Sequence, residues 1–242
     1  MNDKKFAFII CTNNEVLINE CLTYISLLYI PEGYTVDTLT ITDAKSITSG
    51  YNEGMSASDA KYKIYMHQDV FILNKYMLYD IIDIFNSDSS IGMIGMVGYK
   101  TIAPTGKMWD AERCGTTKLY GSLRNYPNSF YRFEEYLSYR FDLVNDGLTD
   151  VAIIDGLMMI TSQDIPWDED TLKGWDFYDA FQSIRFLEKS YRIVVPNQIF
   201  PWFIHDDGYI LSMWDYNKNR KIFLEKYRKY VGLDAKKIRA LS

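Results

Sequence analysis

Phe6-Ala-Phe-Ile-Ile-Cys11 is an unbroken apolar run of strand length, and the polar Thr12-Asn13-Asn14-Glu15 behind it supplies capping chemistry for a helix-period stretch from Val16 to Leu28. The alternation continues. Pro31-Glu-Gly33 marks a turn, and the β-branched segment Thr35–Ile41 reads as a second strand ending near Asp43. Lys45 to Asp59 reads as a polar loop and a small-residue helix, and Tyr62–Met66 as a third strand running straight into His67-Gln68-Asp69. A helix over 76–85 and a strand over 91–97 follow. Strands alternating with helices predict βαβ units, an α/β fold with a mostly parallel central sheet flanked by helices.

Between Gly98 and Asp150 the pattern loosens, with one helix expected around Phe133 to Asp142. It resumes with strands over 151–154 and 157–160, interrupted by Asp155-Gly156, then a helix over 177–188 and a strand over 192–195. The stretch from Leu211 to Tyr230 reads as helical. One domain over 1–209 with a C-terminal helical extension over 210–242 is expected.

Composition narrows the function classes. The net charge of −6 is unevenly spread: from Arg220 onward eight basic residues face two acidic ones, +6, while the rest of the chain carries 18 against 30, −12. An acidic body argues against nucleic-acid binding. The basic C-terminus offers peripheral contact with anionic lipid or an acidic partner, against the plainer reading of a solvated helix face. No apolar run approaches a membrane span, and Met1–Lys5 leads into a strand, not a signal peptide, so a cytoplasmic location, extending to the inner face of the membrane, is expected. Three cysteines without a C-x-x-C pair read as buried free thiols.

In open parallel sheets ligands bind beyond the carboxyl ends of the strands. Those ends carry Thr12 and Asn13, then Asp43, then His67-Gln68-Asp69, then Asp155-Gly156. Neither G-x-G-x-x-G nor G-x-x-x-x-G-K-[ST] is present, so a nucleotide must be held another way. Asp176 and Asp179, at i, i+3, fall on one side of a helix's first turn, where the dipole favours carboxylates.

The order of Thr12-Asn13, Asp43, Tyr51-Asn52-Glu53-Gly54 and Met66-His67-Gln68-Asp69-Val70 resembles family 2-like glycosyltransferases of the GT-A fold. The later Trp167-Asp168, Gly174-Trp175-Asp176-Phe177-Tyr178-Asp179 and Tyr191-Arg192-Ile193 resemble that family's acceptor-side segment. The resemblance spans roughly residues 6 to 205, closest to a bacterial glycosyltransferase-like subgroup. It implies a nucleotide half over about 1–98 and an acceptor half over about 99–209. It further implies a nucleoside diphosphate sugar donor, most simply a UDP-sugar, and a glycan or small-molecule acceptor in bacterial glycan biosynthesis. A divalent cation, Mn or Mg, would neutralise the diphosphate.

The resemblance also implies roles. Asp69 matches the last acid of the family's D-x-D and is the expected metal ligand, joined by His205. His67 replaces the first acid. With Thr12, Asn13, Asp43, Asn52, Gln68, Asp155, Gly156 and Trp175 it makes up the expected nucleotide-sugar site. Asp179, twelve residues before Tyr191, matches the general base of an inverting transfer, with Asp176 second. Aromatic side chains suit sugar faces, and Trp109, Tyr120, Tyr126, Trp175 and Trp202 are candidates. Two readings compete with transfer: a catalytically silent carbohydrate- or nucleotide-binding module, and a nucleotidyltransferase.

Overall fold

A computed structural model describes residues 1–120, 136–141, 147–198, 202–206 and 213–242. Its organising element is β1 (Asn2–Cys11), flanked in parallel by β2 (Thr35–Ile41) and β3 (Ala60–Met66). Phe6, Phe8 and Ile10 point into one core layer and Ile9 and Cys11 into the other, which is why the run is apolar throughout. β11 (Met158–Thr161) inserts antiparallel between β3 and β5 (Ile91–Gly95), and β12 (Arg192–Pro196) and β9 (Leu148–Asp150) complete the order β2-β1-β3-β11-β5-β12-β9. Five of these seven strands run the same way.

Helices cover both faces. α1 (Glu15–Ser26) is capped by Asn14, whose side chain accepts from the Val16 and Leu17 amides, and it buries Ile18, Cys21 and Ile25. α3 (Met77–Ser87) packs in the same layer through Leu78 and Ile81. On the other face α2 (Ile47–Ala57) lies so close to β1 that a Cβ at Gly50 would come within 2.4 Å of Cys11 Sγ, and one at Gly54 within 2.4 Å of Ile9. α4 (Tyr178–Glu188) shares that layer. Burial pushes the thiols of Cys11 and Cys21, both free, up to about 12.

A second sheet carries the late histidine. The run expected over 91–97 breaks at Met96: Val97–Tyr99 is a separate strand, β6, pairing with β10 (Ile153–Ile154) and β7 (Arg113–Tyr120). β13 (Phe203–His205) joins β7 to β4 (Val70–Ile72). The helix expected around 133–142 is corrected: within it β8 (Tyr136–Phe141) pairs antiparallel with β7, and Phe133 and Asp142 themselves lie outside the described residues.

The C-terminal segment belongs to the same core. α5 (Met213–Lys226) and α6 (Ala235–Ala240) bury Tyr216, Phe223 and Ile238 beside Phe177 and Phe181 of the α4 region, with Tyr227 and Tyr230 from the turns between them. Several of its basic groups are committed internally: Lys226 pairs with Asp168, Arg239 with Asp150 and Lys237 with Asp234. Among the described residues no helix is long and apolar enough to cross a membrane.

Candidate active site

β4 follows β3 after three residues, and its pairing with β13 sets His205 opposite Val70, next to Asp69. The Asp206 amide donates to the Asp69 carbonyl (2.8 Å) and locks the register. His205 Nε2 lies 3.4 Å and His67 Nδ1 3.9 Å from Asp69 Oδ1, and one ligand atom from each of the three residues falls within 4.8 Å of the others. Burial alone would raise the Asp69 carboxyl, but the two imidazoles outweigh it and hold the pKa below its ordinary value. Asp69 Oδ1 is buried with no hydrogen-bond partner among the described residues. A buried, unsatisfied carboxylate oxygen between two imidazoles is a donor set that fits a divalent first-row cation.

His67 is anchored from behind. Its amide donates to the Leu157 carbonyl (3.0 Å), and its Nε2 is 2.5 Å from the Tyr178 hydroxyl. Tyr178 reaches it by passing close against Gly156, where an added Cβ would sit 2.2 Å from the hydroxyl oxygen. The Gly156 amide donates to Asp179 Oδ2 (3.0 Å), and the Ala180 amide to Asp179 Oδ1 (2.7 Å). Asp179 is 5% exposed, and its carboxyl is pushed up to about 7 by burial, then by the Asp155 charge, against these two amides. Asp155 Oδ1 itself accepts from the Leu157 amide (3.1 Å). Asp176 is half-buried, and burial with the Asp215 charge raises its pKa too.

Gln68 ties this centre to the first strand end. Its Oε1 accepts from Thr12 Oγ1 (2.7 Å) and from the Asn13 and Asn14 amides (3.1 and 3.0 Å), while its Nε2 donates to Asn13 Oδ1 (2.8 Å). Beside that loop lies a cavity of about 600 Å³ lined by Thr12, Asn13, Asp43 and the half-exposed Trp175. Among the described residues, two of the three left-handed non-glycine positions flank the site: Asp43 (φ 58°) and Phe177 (φ 66°), the latter starting α4 without a side-chain cap. Such backbone costs of order 1–3 kcal/mol each and gathers at functional sites.

The structure thus brings Thr12, Asn13, Asp43 and Trp175 around one cavity, and His67, Asp69, His205, Asp155, Gly156 and Asp179 around the adjoining polar centre, with Gln68 between. Asn52 is placed otherwise. Both ends of its amide bond to Trp167 (Nδ2 to O, 3.0 Å; N to Oδ1, 2.8 Å), so it fastens α2 to the 167 loop. Trp202 lines a separate open cavity with Asp80 and Arg192. Tyr126 lies outside the described residues. Tyr178 was not among the expected ligand-binding residues, although its place in Phe177-Tyr178-Asp179 next to the expected base is the signal that could have found it.

A family profile described as "Glycosyltransferase like family" matches residues 7–227. The chain belongs to that family. It is accordingly a glycosyltransferase by family, with the GT-A arrangement of sheet and helices seen in solved structures. S. aureus TarS 1–349, solved in complex with UDP, superposes with a TM-score of 0.56 at 13% identity, over 97% of this chain and 68% of that one. The mannosyltransferase PcManGT from Pyrobaculum calidifontis, in complex with GDP-Man and Mn²⁺, gives 0.54 at 9% identity over 95% and 65%. GalNAc-T7 with UDP, GalNAc and Mn²⁺ gives 0.57 at 11% over 93% and 48%. The chain therefore spans about two thirds of the first two and half of the third. No curated protein sequence matches it.

Proposed function

We propose that this chain moves a sugar from a nucleoside diphosphate sugar, most simply a UDP-sugar, to an acceptor hydroxyl with inversion at the anomeric carbon, with a divalent cation, Mn or Mg, at His67, Asp69 and His205. The reading rests on one observation: a histidine–aspartate–histidine cluster tied to Tyr178, and a buried carboxylate of raised pKa tied to the amide of Gly156 on which Tyr178 packs, lie beside a cavity at the strand ends. When bound, the cation supplies positive charge to a diphosphate leaving group.

The chain's own residues account for the rest. The tautomer of His67 that donates Nε2–H to Tyr178 leaves the Nδ1 lone pair facing Asp69, the arrangement that orients imidazole ligands elsewhere. Thr12, Asn13, Asp43 and Trp175 hold the nucleotide. Asp179 takes the proton from the acceptor hydroxyl as its oxygen bonds to the anomeric carbon and the bond from that carbon to the diphosphate oxygen breaks. A carboxyl with a pKa near 7 is partly ionised at neutral pH and basic enough to accept that proton.

Release of nucleoside diphosphate from UDP- and GDP-sugars, with and without Mn, tests the proposal. Metal-dependent release, lowered about 10²–10⁴-fold in Asp179→Asn, supports it. Metal-dependent nucleotide binding without release from any donor favours the silent-module reading, for which the replacement of the first D-x-D acid by His67 speaks.

A further inference from the structure

Five large side chains form an exposed apolar surface where the end of α1 meets the start of α3. Leu27, Tyr29 and Ile30 lie at and just beyond the C-terminus of α1, Tyr76 and Tyr79 lie at the start of α3, and each is between 40% and 59% exposed. The two groups touch. The Tyr29 and Tyr76 rings are 4.8 Å apart between centroids, the Tyr76 and Tyr79 rings 6.0 Å, and the Tyr29 amide donates to the Lys75 carbonyl (2.9 Å). The twelve residues of α1, about 18 Å of helix, separate this surface from the Thr12–Asn14 loop that lines the donor cavity.

The surface is fastened from beneath. The Leu73 and Asn74 amides both donate to the Trp202 carbonyl (2.7 and 3.1 Å), Asn74 Oδ1 accepts from the Tyr76 amide (3.0 Å), and Asn74 Nδ2 donates to Asp80 Oδ2 (2.7 Å). A partner therefore meets rings already in place, with no loop to order on binding. A contiguous apolar surface of this kind, rimmed by polar residues, marks a site that another body covers.

Charge and spacing identify that body. Lys75, Tyr79 and Asp83 are exposed and four residues apart, a single row at the start of α3 with the tyrosine midway between opposite charges. Neither Lys75 nor Asp83 is in an ion pair among the described residues. A two-fold axis through Tyr79 reverses the row, so that α3 runs antiparallel to its copy, Tyr79 meets Tyr79, and Lys75 of each copy faces Asp83 of the other. The surface is thus complementary to itself, whereas an anionic lipid surface would meet Asp80 and Asp83 along with Lys75. Half of three tyrosine side chains is about 300 Å². Leu27 and Ile30 bring the apolar part to the order of 500 Å², the larger share of the ~800 Å² that one partner gives to a stable interface.

We infer that this surface is a two-fold interface between copies of this chain, with the tyrosines at its centre and Lys75–Asp83 pairs across it. The donor cavity, at the other end of α1, stays open in both copies, and the dimer does not depend on the transfer reading above.

Sedimentation velocity of the full chain and of Lys75→Glu, Asp83→Lys, the double exchange Lys75→Glu/Asp83→Lys, and Tyr79→Ser tests the interface. The expected result for wild type is a monomer–dimer equilibrium within about 1–100 μM protein. Either single exchange sets like charges face to face and should weaken the dimer at least about tenfold, and the double exchange should restore it to within about threefold of wild type. Tyr79→Ser keeps both charges and should also weaken it at least about tenfold. The melting temperature of the monomer should stay close to wild type in the charge variants, whose altered side chains are exposed. A wild type still monomeric at about 100 μM overturns the interface, the more so if that monomer binds vesicles of phosphatidylcholine and phosphatidylglycerol. A dimer indifferent to Tyr79→Ser or to both single exchanges, or a double exchange as weak as the singles, overturns it as well.

Discussion

His67 Nε2 and the Tyr178 hydroxyl stand 2.5 Å apart, joining the end of β3 to the first residue of α4 across 111 positions of sequence. The same hydroxyl lies against Gly156, leaving no room for a Cβ there, and the Gly156 amide donates to Asp179 Oδ2, so the support of His67 and that of Asp179 meet at one glycine. Burial keeps the phenol protonated, so the hydroxyl stays available to the imidazole.

Tyr178→Phe removes the anchor of His67 and leaves the ring packing in place. Affinity for Mn, measured by calorimetry, should fall about 10–100-fold, the usual cost of losing an outer-shell partner. Unchanged Mn affinity would show that His67 does not need this orientation.

Gln68→Ala deprives Thr12 Oγ1 and two backbone amides of their shared acceptor. The loop is partly exposed, so water replaces part of the loss, and a cost of about 1–2 kcal/mol is expected. Thermal unfolding should shift down by a few degrees, and UDP affinity should fall because this loop lines the cavity. A variant with wild-type stability and UDP affinity would contradict the bridging role.

The raised pKa of Asp179 makes opposite predictions for stability and activity. Its folded value of about 7 lies above the ordinary 3.8, so this carboxyl favours folding only while protonated. That contribution is complete below about pH 4 and is lost as pH rises through about 7. The stability of Asp179→Asn relative to wild type should therefore improve between pH 4 and 8. Transfer activity, which needs the ionised base, should rise over the same range with an apparent pKa near 7. A flat activity profile from pH 5 to 8 would contradict the assignment.

The site was legible where an apolar run stops at a compact polar residue. Cys11 to Thr12, Ile41 to Asp43 and Met66 to His67 are such stops, and the parallel sheet brings them to one edge. His205 was legible only through family resemblance, because its approach to Asp69 depends on the pairing of β13 with β4 across the second sheet. The strands of that sheet are short and scattered along the sequence, and two of them, β7 and β8, fall in the aromatic, polar segment after Gly98, where no sustained period shows. The bonds of Asn52 to Trp167 were not legible, because the partner lies 115 residues away. The packing of α5 and of the turn behind it was masked by charge: the basic residues drew attention to a solvated face, while Tyr216 and Phe223 of α5, followed by Tyr227 and Tyr230 of the turn, mark the buried one.

The most direct test of the account is calorimetric titration of UDP into wild type and Asp69→Asn, each with and without Mn. Asp69→Asn keeps the size of the side chain and removes the charge that faces both histidines. The account predicts that Mn tightens UDP binding at least tenfold in wild type and that this gain disappears in the variant, while metal-free UDP binding stays the same. UDP binding indifferent to Mn in wild type, or a full Mn gain in Asp69→Asn, would contradict it.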